Sequence, residues 1–267
     1  MSNDHGIAGL SDLERFAVDV VDHVATVTLN APPVNAQDRR FREEFVRILD
    51  ILGAEADVRV IILTAQGKVF SAGADLSERA SIRQEPGGYA RHNRLVRAAF
   101  DVVLDCPKPV ICALNGAAIG AGCVHALLCD ILIVAEESYL SMTEVDFGMA
   151  GGVSQVLRAF SPSDARLMIY TARRIHGPEL LRMNVASICV PREQVLKEAQ
   201  AVATAIARKA PLAVLAAKRS FGLTEEMPLR DGYRYEQTQT ALLADTEDTQ
   251  EALAAFREKR APVFHGR

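Results

Sequence analysis

Two stretches, Phe70-Ser71-Ala72-Gly73-Ala74-Asp75-Leu76 and Asn115-Gly116-Ala117-Ala118-Ile119-Gly120-Ala121-Gly122-Cys123, decide how this chain folds. Each has Gly and Ala where a strand-like apolar run ends, and the second continues into an apolar segment typical of a helix. Small residues leave backbone N–H groups uncovered, so a ligand oxygen can come close to them. Two such turns, about forty residues apart, can aim two N–H donors at one point, which predicts an oxyanion hole. The alternative is a pair of tight turns packed against a sheet, a common feature of α/β proteins.

Apolar runs of strand length alternate with helical patterns along the chain, which indicates an α/β protein built from stacked ββα units. The run at 58–64 is continuous and rich in β-branched residues, so we expect a strand that is covered on both faces. The remaining predicted elements are a hairpin of strands 16–22 and 24–30, helices at 40–52 and 120–128, and strands at 109–114 and 130–135.

The chain becomes helical from about residue 195 to its end, with prolines as punctuation. We therefore predict an α/β core over residues 1–194 and a helical C-terminal part over residues 195–267. A chain of 267 residues that is 49% hydrophobic can bury a core of this size.

Composition argues against several partners. The net charge is −4 and no run of Lys or Arg occurs, so nucleic acid is not expected to bind. No apolar stretch approaches the roughly 20 residues that span a bilayer, and residues 1–12 lack the basic and then apolar pattern of a signal sequence. The five cysteines form no Cys-x-x-Cys pair, which favours reduced thiols. We expect a cytoplasmic protein without a membrane partner.

Motifs for cofactors are absent from the sequence. It has no Gly-x-x-x-x-Gly-Lys-Ser/Thr loop, no Gly-x-Gly-x-x-Gly after a first strand and no Gly-x-Ser-x-Gly elbow. No His, Cys and Asp cluster has the spacing of metal ligands. We expect neither a metal ion nor a nucleotide cofactor.

Both opening stretches resemble the two signature segments of the crotonase family (enoyl-CoA hydratase/isomerase). Other segments resemble the same family in the right order and extend the likeness over nearly the whole chain. These segments are 24–30 with Asn35-Ala36, 129–131, 144–148 and 246–260. The resemblance implies a crotonase-like spiral of stacked ββα units and trimers that pair into hexamers. It implies that the C-terminal helices build the subunit contacts and cover the active site. It also implies an acyl-CoA thioester as the ligand, with coenzyme A as part of the substrate.

The resemblance further implies that the N–H groups of Ala74 and Ala121 hold the thioester oxygen and that Glu144 is the acid and base. Hydratases of the family carry a second Glu directly after the second turn, and this position is Val124 here. Valine can neither hold nor transfer a proton. A single carboxylate favours isomerisation of a 3-enoyl to a 2-enoyl thioester. The branch that isomerises dienoyl thioesters is disfavoured, because neither Val124 nor Gly152 is acidic.

Two residues are candidates for the missing second group, which leaves hydration open. His125 follows Val124 but points about 100° away from it on a helix, and a structural histidine is the commoner role. Asp146 would share a side with Glu144 if that stretch were extended, although a solvated or turn-capping carboxylate is more common. A third hypothesis for the function is an acyl-CoA-binding or assembly paralogue without catalytic activity. The presence of Glu144 beside both small-residue turns argues against it.

The resemblance also assigns residues to the binding of the thioester and of coenzyme A. For Phe256 and Lys259 in the last helix, the alternatives are a core phenylalanine and a solvated lysine. The expected binding residues are Ala72, Gly73, Asp75, Leu76, Gly120, Val124, Gly152, Phe256 and Lys259.

Overall fold

The computed structural model describes residues 7–267, which form twelve strands and eleven α-helices. The strands are β1 (Phe16–Val21), β2 (Val24–Leu29), β3 (Ala36–Gln37), β4 (Val60–Ala65), β5 (Val69–Ser71), β6 (Gly73–Ala74), β7 (Val110–Leu114), β8 (Ala117–Ile119), β9 (Ile131–Ala135), β10 (Tyr139–Ser141), β11 (Ile175–His176) and β12 (Ile188–Val190). The helices are α1 (Arg39–Ala54), α2 (Arg79–Gln84), α3 (Gly88–Asp105), α4 (Ala121–Leu128), α5 (Val153–Ala159), α6 (Pro162–Thr171), α7 (Gly177–Arg182), α8 (Arg192–Ala207), α9 (Pro211–Thr224), α10 (Leu229–Leu243) and α11 (Glu247–Glu258).

The chain forms two main sheets and adds strands to them in turn. The larger has the strand order β1-β2-β4-β7-β9-β12 and the smaller the order β11-β10-β8-β5, while β3 and β6 form a short parallel pair. Apart from the β1–β2 hairpin, the larger sheet is parallel. The pairs β4 with β5, β7 with β8 and β9 with β10 each give one strand to each sheet before a helix follows. The expected spiral of ββα units is confirmed.

Strand β4 shows why the larger sheet needs a cover on both faces. All six of its residues are buried. Ile61 and Leu63 pack into one hydrophobic core, and Val60 and Ile62 pack into a second core on the opposite face. Alternation of side chains along a strand sends neighbouring residues to opposite faces, so the continuous apolar run is explained.

Helix α8 covers the second face of the sheet with a row of small residues. Val195, Ala199, Ala203 and Ala207 recur every four residues and are buried in the second core. This spacing places them on one side of a helix, and small side chains allow it to lie close to the strands. The boundary expected at residues 194 and 195 falls inside α8, so the first helix of the C-terminal part packs on the α/β sheet.

Helix α1 packs an aromatic cluster against the first strand. Its N-cap, Asp38, accepts a hydrogen bond from the N–H of Phe41 at 2.7 Å, a common way to satisfy the first turn of a helix. The ring centroids of Phe16 and Phe41 lie 4.6 Å apart, and those of Phe16 and Phe45 lie 5.7 Å apart. Phe41 and Phe45 also approach His125 of α4, with ring centroids 6.2 and 4.8 Å from that of the imidazole. No helix within residues 7–267 has the length and apolar character to cross a bilayer.

Candidate active site

The turn at Gly73 lies directly against the start of α4. Gly73 has a φ of +83°, and a methyl group there would sit 2.6 Å from the carbonyl oxygen of Ile119 and 3.2 Å from the backbone nitrogen of Ala121. The first distance is too short for a side chain and the second is tight, so glycine is required by close packing as well as by its dihedral angle. The structure therefore brings the two small-residue turns together.

A second glycine, Gly122 in α4, also allows α4 and the first turn to pack closely. A methyl group at Gly122 would lie 2.6 Å from the carbonyl oxygen of Ser71, so α4 rests on the end of β5. The hydroxyl of Ser71 donates to the carbonyl oxygen of Asn35 at 2.8 Å and accepts from the N–H of Gly73 at 3.2 Å. These buried hydrogen bonds hold the first turn in a single arrangement.

Helix α4 begins at this contact. Gly120 precedes it with φ +54° and ψ −120°, and its own N–H donates to the carbonyl oxygen of Ser141 at 2.9 Å. Ala121 is the first helical residue, so its N–H has no acceptor within the helix. A free N–H at a helix N-terminus is a good donor to a developing negative charge.

Glu144 faces this helix start. It opens a 3₁₀ turn, Glu144–Phe147, and its Oε1 would lie 2.7 Å from a methyl group at Gly120. Its other carboxylate oxygen, Oε2, is buried and has no hydrogen-bond partner among the described residues. Burial raises the pKa of Glu144, while a hydrogen bond from its own backbone and the charge of Arg79 act in the opposite direction. A partly buried carboxylate with a raised pKa and an unused, buried oxygen is suited to proton transfer.

The charge of Glu144 also affects the pKa of the Cys123 thiol. Burial is the main cause that raises its pKa, and the negative charge of Glu144 adds to the effect. Cys123 is fully buried and remains a neutral thiol, so it belongs to the wall of the site.

Val124 forms an apolar wall where a second carboxylate was expected from the family pattern. It is 2% exposed, and a methyl group at Gly152 would come within 3.1 Å of its Cγ2 and would also clash with the end of Met142. Gly152 has φ +69° and precedes α5, so this glycine is required in the turn. The side chain at position 124 is apolar and cannot itself transfer a proton.

His125 is a structural histidine. Its Nδ1 is 2.9 Å from Nε2 of Gln37, and its Nε2 is 3.1 Å from the carbonyl oxygen of Ala99. The ring centroids of Phe45 and Phe100 lie 4.8 and 5.0 Å from that of the imidazole. With 2% exposure and both ring nitrogens engaged, His125 has no nitrogen left to activate a water. The expectation that it might replace the second carboxylate is not supported by this geometry.

We expect the variant His125→Leu to change the pH dependence of folding and to leave turnover unchanged. Burial lowers the pKa of His125 to about 4, whereas an unfolded histidine titrates near 6.5. Between these values the unfolded chain binds more protons, so the free energy of unfolding decreases as the pH falls. The contribution of His125 is on the order of 3 kcal/mol across this window.

Urea unfolding from pH 7 to pH 4 measures this difference. The wild type should lose stability more steeply than His125→Leu over that range, even though the variant is less stable at pH 7 because two hydrogen bonds are lost. Equal pH slopes, or a large drop in kcat of the folded variant, would contradict a purely structural role.

Asp146 does not share a side with Glu144. The idea required an extended segment, but Glu144–Phe147 is a 3₁₀ turn, with three residues per turn. Residues two apart then point in different directions, and Asp146 is exposed. The expectation that it faces the same side as Glu144 is therefore wrong, and its surface position agrees with the solvated alternative.

The other expected binding residues fall into two groups. Around the first turn, Ala72 donates its N–H to Val34 at 2.9 Å, Asp75 caps the 3₁₀ turn Leu76–Glu78 through Ser77, and Leu76 is 44% exposed. Within α11, Phe256 is 84% exposed and is not a core residue. Lys259 ends that helix with φ +57° and is exposed. Contact of α11 residues with coenzyme A stays a prediction.

One charged residue of the site was not anticipated. Arg79 begins α2 directly after the first turn, and its guanidinium carbon lies 5.8 Å from the ring centroid of Phe147. Its Nη2 is buried without a hydrogen-bond partner among residues 7–267. The sequence offered only one signal, an arginine close behind the small-residue turn.

Comparison with known proteins gives consistent results. A family model described as Enoyl-CoA hydratase/isomerase matches residues 20–267. The chain is 33% identical over 259 residues to 2,3-dehydroadipyl-CoA hydratase from Escherichia coli K12, which covers 96% of this chain and 100% of that protein. It is 33% identical over 261 residues to carnitinyl-CoA dehydratase from Salmonella typhi, which covers 91% and 95%.

The solved structures agree with the sequence comparison. The crystal structure of an enoyl-CoA hydratase from Bacillus anthracis superposes with a TM-score of 0.89 at 34% identity, covering 95% of this chain and 100% of that one. The similarity therefore extends over the α/β core and the C-terminal helices alike.

Proposed function

The chain belongs to the enoyl-CoA hydratase/isomerase family, the crotonase family, and from that premise we propose that it converts an unsaturated acyl-CoA thioester through an enolate, with Glu144 as acid and base. The observation that carries the proposal is the unpartnered, buried Oε2 of Glu144, on a side chain that lies against the start of α4. Coenzyme A is part of the substrate in this scheme, and no separate cofactor takes part.

The proposed chemistry begins at the thioester carbonyl. Its oxygen accepts hydrogen bonds from the N–H groups of Ala74 and Ala121, which stabilise the negative charge that develops there. Glu144 as a carboxylate removes a proton from C2 of a 3-enoyl thioester, and the electron pair of that C–H bond moves into a dienolate. The protonated Glu144 then returns the proton to C4, which gives the 2-enoyl thioester. No water molecule is consumed.

Isomerisation is favoured because one carboxylate suffices for it. Hydration of a 2-enoyl thioester needs a base for water and an acid for C2, for which two positioned carboxylates are well suited. The apolar, buried side chain of Val124, the structural role of His125 and the exposure of Asp146 support a site with one proton-transfer group.

Hydration is the second candidate. The relatives from Escherichia coli and Salmonella typhi are named as a hydratase and a dehydratase, and their similarity covers more than 90% of the chain. A water positioned by Glu144 alone would be required.

A turnover panel of 2-enoyl-CoA and 3-enoyl-CoA substrates, followed by mass spectrometry, separates these reactions. We expect 3-enoyl-CoA to become 2-enoyl-CoA with no change in mass. Efficient gain of water by crotonyl-CoA would favour hydration, and no conversion of any acyl-CoA would overturn the proposal.

The variant Val124→Glu is expected to add or strengthen hydration. A carboxylate at this position supplies the second proton-transfer group that hydratases of the family carry. The variant Val124→Gln is the matched control, since it has the same size and cannot transfer a proton. Hydration of crotonyl-CoA should increase in the Glu variant only. Equal rates in both folded variants would show that the missing carboxylate does not limit hydration.

We also propose that the protein assembles as a homotrimer or homohexamer through its C-terminal helices. Their large apolar residues are strongly exposed in the single chain, which is typical of surfaces that bury against a partner. The most exposed are Phe221 at 77%, Leu229 at 89%, Leu242 at 73% and Phe256 at 84%. Light scattering should give three or six times the chain mass of 29.0 kDa, and a monomer would contradict this.

A further inference from the structure

Arg79 forms no ion pair with any carboxylate of residues 7–267, although carboxylates lie near it in sequence. The preceding residue, Glu78, pairs with Arg42 at 3.2 Å and accepts from the backbone N–H of Arg39 at 2.7 Å. The carboxylate of Glu85, one residue beyond α2, pairs with Arg91 at 2.7 Å. The Nη2 of Arg79 is nevertheless buried and without a hydrogen-bond partner among the described residues. A buried guanidinium nitrogen without an acceptor is unfavourable unless a ligand supplies one.

The guanidinium of Arg79 is directed to the same site as Glu144. It lies over the ring of Phe147, which belongs to the same 3₁₀ turn as Glu144. The charge of Arg79 opposes the effect of burial on the pKa of Glu144, yet no ion pair joins the two side chains within the part of the chain described. Two groups of opposite charge therefore lie near one another, each with an unpartnered polar atom, and a ligand that accepts from Arg79 would satisfy its Nη2.

The guanidinium of Arg79 lies over the ring of Phe147, and its Nη2 has no acceptor among the described residues. A guanidinium that covers an aromatic face still presents its N–H groups in its own plane. That edge matches a carboxylate, which accepts two parallel hydrogen bonds from it.

We propose that Arg79 selects substrates by binding a carboxylate at the far end of the acyl chain. The inference rests on the proposed function, in which Glu144 acts at carbons next to the thioester, so a group beside Glu144 meets the acyl part. The ligand class is the coenzyme A thioester of a dicarboxylic acid. The phosphates of coenzyme A are the other source of negative oxygens, but the pantetheine arm separates them from the thioester.

Equilibrium binding of saturated thioesters tests this without turnover. The probes are glutaryl-CoA and adipyl-CoA, with pentanoyl-CoA and hexanoyl-CoA as neutral controls of equal length, each titrated calorimetrically. We expect the wild type to bind at least one carboxylated thioester about 10- to 100-fold more tightly than its neutral control, the effect of a charge-assisted bidentate hydrogen bond.

The variant Arg79→Met should lose this preference and keep its affinity for the neutral thioesters. Arg79→Lys should retain part of it, because an ammonium keeps the charge without the planar fork. Arg83→Met is the matched control, since Arg83 lies one turn further along α2 and is exposed. It should behave as the wild type does.

Three results would overturn the inference. One is a wild type that binds carboxylated and neutral thioesters equally well. Another is an equal loss for both classes in Arg79→Met, which would assign Arg79 to the phosphates. The third is a shift of the pH–rate profile in Arg79→Met with the preference for carboxylates intact, which would leave only an effect on Glu144. Failure of every thioester to bind would instead overturn the proposed function itself.

Discussion

The variant Glu144→Gln is expected to lower turnover by about 10²–10⁴-fold, the usual contribution of a positioned acid or base. Glutamine has nearly the same shape, so it should keep the contact with Gly120 and the 3₁₀ turn that it begins. It cannot accept a proton from C2 or return one to C4. Binding of a saturated acyl-CoA should therefore change little, and the loss should appear in kcat.

A matched control is available on the surface. Glu137 is exposed after strand β9, and Glu137→Gln removes the same charge from the chain without touching the site. Its kcat should equal that of the wild type. Residual turnover in Glu144→Gln above a tenth of the wild-type value would show that another group carries the proton.

The pH dependence of the wild type provides a second readout. Glu144 acts as a base only when ionised, and burial raises its pKa. The acid limb of kcat should therefore lie above the pKa of an ordinary glutamate and should disappear in Glu144→Gln. An acid limb that persists in the variant would belong to a different residue.

The variant Ala74→Pro is expected to lower kcat by about 10²–10³-fold, the effect of removing one oxyanion donor. Proline has no N–H, so in the proposed site only the N–H of Ala121 would remain to bind the thioester oxygen. Since the oxyanion forms only during the reaction, turnover should suffer more than binding of butyryl-CoA.

Proline at a second position controls for effects on folding. Ala56 is exposed in the turn Glu55 to Val58, whose closing hydrogen bond runs from the N–H of Val58 to the carbonyl oxygen of Glu55 at 3.2 Å. Proline is favoured at the second residue of such a turn. Ala56→Pro should keep full activity. If Ala74→Pro remains folded by circular dichroism and keeps its kcat, the donor lies elsewhere.

Much of the fold was predictable because its local signals agree. Strand β4 follows from a continuous apolar run, and α1 follows from apolar residues at helical spacing behind the cap Asp38. The packing of the two signature turns was also predictable from their small residues. Gly73 and Gly122 lie so close to the backbone of the other turn that neither position has room for a side chain.

The details of the site depended on distant residues and were harder to predict. Burial lowers the pKa of His125 and keeps it neutral, and Gln37, 88 residues away in sequence, engages its Nδ1. Asp146 is exposed because its segment is a 3₁₀ turn, which a four-residue stretch does not reveal by periodicity. The sequence does not show that Arg79 lacks a carboxylate partner, because its neighbour Glu78 pairs with Arg42, which is 36 residues away in sequence. We predicted a boundary before residue 195 from the change to helical sequence, which does not reveal that α8 packs on the sheet.

Exchange of hydrogen at C2 of butyryl-CoA in D₂O tests the central claim most directly, because it requires only an enolate and not a completed reaction. The wild type should replace hydrogen at C2 by deuterium, seen as a gain of one or two mass units, while Glu144→Gln should not and Ala74→Pro should do so far more slowly. Exchange that is absent in a wild type saturated with butyryl-CoA, or equally fast in Glu144→Gln, would contradict an enolate formed by Glu144.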